Sequence, residues 1–169
     1  MTPKLRIYLA ASLFSPFERQ RNADIAQRLL GQGFMPFLPQ DISTHTGERP
    51  AADVIFSQCV AGIDDADLVI GLVDGADVDS GTAWELGYAY AHRKPTLLLR
   101  TDYRSAEHGP VNIMLEFSSH LVVANTPRSS AVAAIDTLLE AVTQLVADGA
   151  LRSRPAQPFS SAGGPDDKP

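Results

Sequence analysis

Apolar residues fall along this chain in short runs separated by longer stretches at helical spacing. Leu5–Ala10, Phe34–Leu38, Leu68–Val73, Thr96–Leu99 and Leu121–Ala124 read as strands, the second despite its Pro36. Runs apolar on both faces are what a buried parallel strand requires. Between them, Phe17–Leu30 has apolar or small residues at helical spacing and is stopped by Gly31 and Gly33. Ala51–Ala66 carries a stripe of Val54, Ile55, Cys59 and Ile63, and Ser80–His92 follows the third strand. Ser130–Ala147 is apolar through Val132, Ile135, Leu138, Leu139, Val142 and Leu145, whereas Pro39–Pro50 is a polar loop. Strands that alternate with helices predict a parallel sheet covered on both faces. Right-handed crossovers then leave an open, doubly wound, five-stranded sheet of flavodoxin-like type as the simplest arrangement. Residues 1–150 read as a single α/β domain. From Arg152 onward Pro, Ser, Gly and Asp dominate, so 151–169 reads as a disordered tail. No internal repeat occurs.

Composition narrows the function classes. The 169 residues are 44% hydrophobic and 20% charged, as in a soluble globular protein. A net charge of −6 offers no basic footprint for nucleic acid or an anionic membrane. One cysteine, Cys59, excludes an internal disulfide framework and a cysteine-based zinc site. His45, His92, His108 and His120 show no metal-ligand spacing and read as surface or loop residues, so neither metal nor cofactor is expected. The amino terminus runs into a strand too short for a secretory apolar region, and no run approaches membrane-spanning length. A cytoplasmic protein is the expectation.

In an open α/β sheet the ligand lies beyond the carboxyl ends of the strands. Four segments converge there, 10–17, 39–50, 74–85 and 100–112. Together with the strand ends they gather Tyr8, Ser12, Gln40, Asp41, Asp74, Asp77, Asp79, Glu85, Asp102, Arg104 and Asn112. That set is rich in carboxylates and poor in cations, the reverse of a phosphate site, and no GxGxxG or P-loop sequence occurs. Asp74-Gly75 reads as a turn. A neutral, hydroxyl-rich ligand such as a sugar fits, and carboxylates also serve glycosyl chemistry as nucleophile or acid/base. Asp79 and Glu85 are six residues apart, roughly 9 Å if helical throughout, enough to straddle a furanose. The bland alternatives stand beside this. Glu85 also suits a helix start through the macrodipole, Tyr8 a strand aromatic, Cys59 a small core residue, and Trp84 and Tyr88 packing or interface roles. Asp102 with Arg104 also reads as a loop ion pair. Asp64, Asp65 and Asp67 read as solvated charges at a helix end and a strand start.

Six segments together resemble the nucleoside 2-deoxyribosyltransferases. They are Tyr-Leu-Ala-Ala-Ser-Leu-Phe (8–14), Leu-Pro-Gln (38–40), Ala-Asp-Leu-Val-Ile (66–70), the stretch 74–89 containing Asp-Ser-Gly-Thr-Ala-Trp-Glu-Leu-Gly-Tyr, Arg-Thr-Asp-Tyr-Arg (100–104) and Asn-Ile-Met (112–114). The resemblance covers about residues 5–125 and implies the same doubly wound fold. It also implies transfer of a 2-deoxyribosyl group between nucleobases with retention, through a covalent glycosyl-enzyme. By that resemblance Glu85 is the nucleophile, Tyr8 the phenol that orients it, and Asp79 the partner of the sugar 5′-hydroxyl. Related 5′-monophosphate N-glycosidases have serine at the Asp79 position, so aspartate favours a free nucleoside. Asn112 and Met114 resemble residues that reach a neighbouring subunit's site. This implies a homo-oligomer, a dimer or trimer of dimers, with shared sites. Gln40 and Asp41 correspond to a loop facing the nucleobase, and Ser12 to the substrate-binding loop after the first strand.

Cys59 departs from the family, which commonly has aspartate eight residues before the residue matching Asp67 to handle the proton on the base. A thiol is a poor general acid for a purine nitrogen. The role then passes to Asp41 or water, base exchange slows, or the chain has drifted to hydrolysis. The tail also departs from members whose terminal carboxylate completes a neighbour's site. Transferase, deoxynucleoside N-glycosidase and non-catalytic nucleoside-binding module all remain open at this level.

Overall fold

The strands occupy register positions that send alternate side chains to two separate cores. A computed structural model describes residues 4–42, 50–106, 108–127 and 129–149; His45 and the tail 151–169 lie outside them. In chain order the elements are β1 (Arg6–Ala10), α1 (Pro16–Gly31), β2 (Met35–Phe37), a 3₁₀ turn at Pro39–Asp41, α2 (Ala52–Asp65) and β3 (Leu68–Leu72). Then come α3 (Ser80–Ala91), β4 (Thr96–Arg100), α4 (Ile113–Phe117), β5 (Leu121–Ala124) and α5 (Ala131–Ala147). All strand pairs are parallel and their spatial order is β2-β1-β3-β4-β5. The expected five-stranded, doubly wound sheet is therefore the one observed.

Ile7 and Leu9 of β1 pack in one core with Ile70, Leu97 and Leu99 of the sheet, Ile25 and Leu29 of α1, and Leu138 and Val142 of α5. Tyr8 and Ala10 turn to the other face. There they join Val69, Leu98, Ile63 of α2, and Leu86 and Ala89 of α3. This period-two alternation is what places a phenol beneath α2 and α3. Strand order reverses between β1 and β3, the switch point at which a crevice opens beyond the strand ends in such sheets.

The sequence expectation differs from the structure in three local ways. β2 is only three residues long, and Pro36 is tolerated because the strand lies at the sheet edge. The polar loop at Pro39 opens with a 3₁₀ turn that the loop reading did not include. α4 is likewise absent from that reading: five residues are too few for helical periodicity to show, and Asn112 starts the helix as its cap.

Candidate active site

Four side chains from three chain segments meet at the switch point. Tyr8, fully buried in β1, donates its hydroxyl to Glu85 Oε1 at 2.6 Å. Its ring stacks on Phe37 of β2, with centroids 5.4 Å apart. Cys59 on α2 packs against the same cluster as Tyr8, close enough for each group to shift the other's ionisation. Asp79 precedes α3 and caps it, accepting the Thr82 N–H at 3.0 Å on Oδ2. Its Oδ1 accepts no hydrogen bond from a described residue and is available to a ligand hydroxyl.

This geometry sets the electrostatics. Burial pushes the Glu85 carboxyl up to about 7; the Tyr8 hydrogen bond pulls it down, and the Asp79 charge adds to the rise. A carboxyl group that titrates near neutrality, with one oxygen held by a phenol, has the chemistry that a nucleophile or an acid/base requires. Burial likewise pushes the Tyr8 hydroxyl far up, helped by the charges of Glu85 and Cys59, so Tyr8 stays a proton donor in its hydrogen bond. Burial raises the Cys59 thiol too, against the Tyr8 contact and with the Glu85 charge, so it remains a neutral thiol at pH 7.

The other sequence-derived candidates are engaged elsewhere. Ser12 donates to Glu18 Oε1 at 2.6 Å, beside the capping box that Glu18 forms with Ser15. Gln40 accepts from Asn22 at 3.2 Å and donates to the Arg19 carbonyl at 3.0 Å, which ties its turn to α1. Asp41 is exposed. Asn112 Oδ1 accepts the Met114 N–H at 2.9 Å, and Met114 is 74% exposed. Both line an open groove of about 930 Å³ between α3 and α4, whose walls include neither Glu85 nor Tyr8. Within one chain, then, the structure joins Tyr8, Cys59, Asp79 and Glu85, while Asn112 and Met114 line the neighbouring groove.

Two arrangements were read only in part from the sequence, which offered the Asp102–Arg104 ion pair and packing roles for Trp84 and Tyr88. Asp74, just after β3, accepts from Arg21, from the Thr101 N–H and hydroxyl, and from the Asp102 N–H. Asp102 accepts in turn from Arg100 and Arg104. Burial opposes the Asp102 charge, yet the bonds from Gly75, Arg104 and Arg100 outweigh it and hold the carboxyl below its usual range. For Arg100 the only available signal was an arginine closing an apolar strand with an aspartate two residues on. The second arrangement is a ladder of rings along α3. Trp84 stacks on Tyr88 (centroids 5.3 Å apart) and Tyr88 on His92 (4.1 Å), while Phe56 of α2 tilts against Trp84 at 5.5 Å. Their spacing of four residues was visible in the sequence.

Among the described residues no cluster of His, Cys, Asp or Glu could hold a metal. No described helix is long and apolar enough to cross a membrane.

A family model described as Nucleoside 2-deoxyribosyltransferase matches residues 7–127. A 2-deoxyribosyltransferase from Bacillus psychrosaccharolyticus is 26% identical over 71% of this chain and 86% of its own, with a TM-score of 0.60. The fold is shared by a Leishmania mexicana 2-desoxiribosyltransferase (22% identity; 78% and 97% covered; TM-score 0.59). It is shared as well by a Clostridium botulinum CMP N-glycosidase (21%; 80% and 98%; 0.58). No curated protein sequence matches the chain.

Proposed function

This chain belongs to the nucleoside 2-deoxyribosyltransferase family, and from that premise we propose that it moves a 2-deoxyribosyl group between nucleobases of 2′-deoxynucleosides. The observation that carries the reading is the Tyr8–Glu85 hydrogen bond at 2.6 Å, with the free oxygen of Asp79 on the segment that leads into the same helix. Glu85 attacks the anomeric carbon as the N-glycosidic bond breaks, and the base leaves with the bonding electrons and takes up a proton. The resulting 2-deoxyribosyl ester of Glu85 is opened by a second base, which restores the original configuration after two inversions. Tyr8 holds the attacking carboxylate in line, and Asp79 accepts the sugar 5′-hydroxyl. Asn112 and Met114, which line the groove beside α3, serve the site of a neighbouring copy in a dimer or trimer of dimers. A cytoplasmic place in nucleotide salvage goes with this reading, as does residues 1–150 acting as one domain.

One observation favours a second outcome on the same ester. The neutral Cys59 thiol beside Tyr8 is a poor proton donor to a departing base and a poor acceptor from an incoming one. Water would then resolve the ester, making the protein a deoxynucleoside N-glycosidase. Incubation with a deoxynucleoside and a different free base separates the readings. A new deoxynucleoside supports transfer, free deoxyribose supports hydrolysis, and an unchanged mixture means a binding module without turnover.

Two variants sharpen the assignment. Asp79→Ser should reduce discrimination against 5′-monophosphates by about tenfold or more, because like-charge juxtaposition against a phosphate is removed. Unaltered ratios of kcat/KM for nucleoside and monophosphate would remove Asp79 from the 5′ position. Cys59→Asp should speed base exchange by at least about tenfold, toward the 10²–10⁴ of a well-positioned proton donor. A neutral or slower exchange rate would show that residue 59 does not face the base.

A further inference from the structure

Arg100 is the most buried charged residue among those described, at 3% exposure, and the reaction above gives it no part. Its guanidinium makes three directed bonds, from Nε to Asp102 Oδ1 at 2.7 Å, Nη1 to the Pro110 carbonyl at 2.9 Å and Nη2 to the Gly75 carbonyl at 2.6 Å. Asp102 Oδ2 accepts the Gly75 N–H at 2.8 Å. Both backbone groups of Gly75 thus close on one ion pair. Gly75 has φ +102°, a conformation L side chains rarely adopt, and a Cβ there would stand 3.0 Å from the Asp77 carbonyl. Four residues after Gly75 comes Asp79, and two after Pro110 comes Asn112. One planar side chain therefore grips the roots of two loops, each leading to a residue assigned to substrate.

We propose that Arg100 is a positioning residue that clasps the 74–79 loop to the 108–112 loop and thereby fixes where Asp79 meets the substrate's 5′-hydroxyl. The proposal rests on the nucleoside reading above. The three acceptors are reached from three different nitrogens of one planar fork, whereas lysine gathers its donors on a single nitrogen and cannot span them. A merely structural arginine would satisfy the same carbonyls, so the test must read the 5′ contact itself. Arg100→Lys is compared with wild type on a 2′-deoxynucleoside and on its 2′,5′-dideoxy analogue, which has no hydroxyl for Asp79. KM should rise about tenfold on the first, with kcat changed less than about threefold, and KM on the second should stay within about twofold. Equal losses on both substrates overturn the proposal. Amide hydrogen exchange, measured without substrate, should quicken by about tenfold or more both at Gly75 and within 108–114. A response in one loop alone, or in neither, overturns it as well. If wild type turns over neither nucleoside, the substrate reading fails by itself, and the exchange result still decides the clasp. Should Arg100→Lys not fold, Asp102→Ala opens the ring from its more exposed side. It should give the same pattern, with the larger exchange response at Gly75.

Discussion

Glu85→Gln is expected to end turnover and, at neutral pH, to make the protein harder to unfold. Glutamine keeps an oxygen for the Tyr8 hydroxyl but cannot form the glycosyl ester, so activity should fall by about 10³-fold or more. The gain in stability follows from linkage. The Glu85 carboxyl is raised from 4.5 to about 7 in the folded protein, chiefly by burial. Below pH 4.5 both folded and unfolded states carry the proton, and the raised value has no stability cost. As pH rises from 4.5 toward 7 the unfolded state ionises while the folded state keeps its proton, so stability falls. Above about pH 7 the full cost of burying the anion is present, on the order of 3 kcal/mol. Glutamine is neutral throughout, so its advantage should be absent at pH 4 and level off above pH 7. Urea unfolding at pH 4 and pH 8 measures this, and the same increment at both values would dismiss the buried anion as its source. The same titration predicts that wild-type turnover climbs with pH through about 7, as Glu85 becomes ionised. Glu85→Ala should be equally inactive with the fold intact, and a normally active Glu85→Ala protein would end the mechanism.

The second large effect is expected at a residue that touches no substrate. A Cβ on Gly62 of α2 would stand 2.9 Å from Phe37 Cε1 and 3.1 Å from both Phe37 Cδ1 and Tyr8 Cδ2. The Tyr8 ring is fully buried and the half-buried Phe37 ring is stacked on it, so relieving the clash shifts the phenol that holds Glu85. Gly62→Val should cost about 1–3 kcal/mol through overpacking, lowering Tm by several degrees in a domain of this size. It should also cut kcat by about tenfold or more, since small misplacements of a catalytic group are expensive. Gly87→Ala, where an added Cβ meets nothing within 4 Å, is the control for helix propensity alone. Lower stability with unchanged kcat at residue 62 would uncouple the α2–β1 packing from the chemistry.

The sheet was legible because its strands are apolar runs bounded by turn residues, and because helix-period stretches fall between them. That pattern is a property of neighbours in sequence. The site was legible only in part, because Tyr8 and Glu85 are 77 residues apart and no local periodicity says that they touch. Their roles came from the family resemblance; the alternation along β1 and the register of Tyr8 with Val69 supply the physical reason that they meet. Asp79 directly precedes the predicted helix Ser80–His92, a position that suits a cap. Gln40 and Ser12 looked like free polar groups because hydrogen-bond partners on α1 cannot be inferred from composition. Arg100 was hidden for the opposite reason: at the end of Thr-Leu-Leu-Leu-Arg it reads as a strand stepping into water, whereas two of its three acceptors come from the loops at Gly75 and Pro110.

The ladder on α3 has an optical consequence. Trp84 is the only tryptophan in the chain, it stacks on Tyr88, and it precedes Glu85 directly. Indole fluorescence of the whole protein therefore originates from one ring adjoining Glu85. A quenching titration with nucleoside or free base observes that helix turn alone, with no label attached and no background from a second fluorophore of its kind.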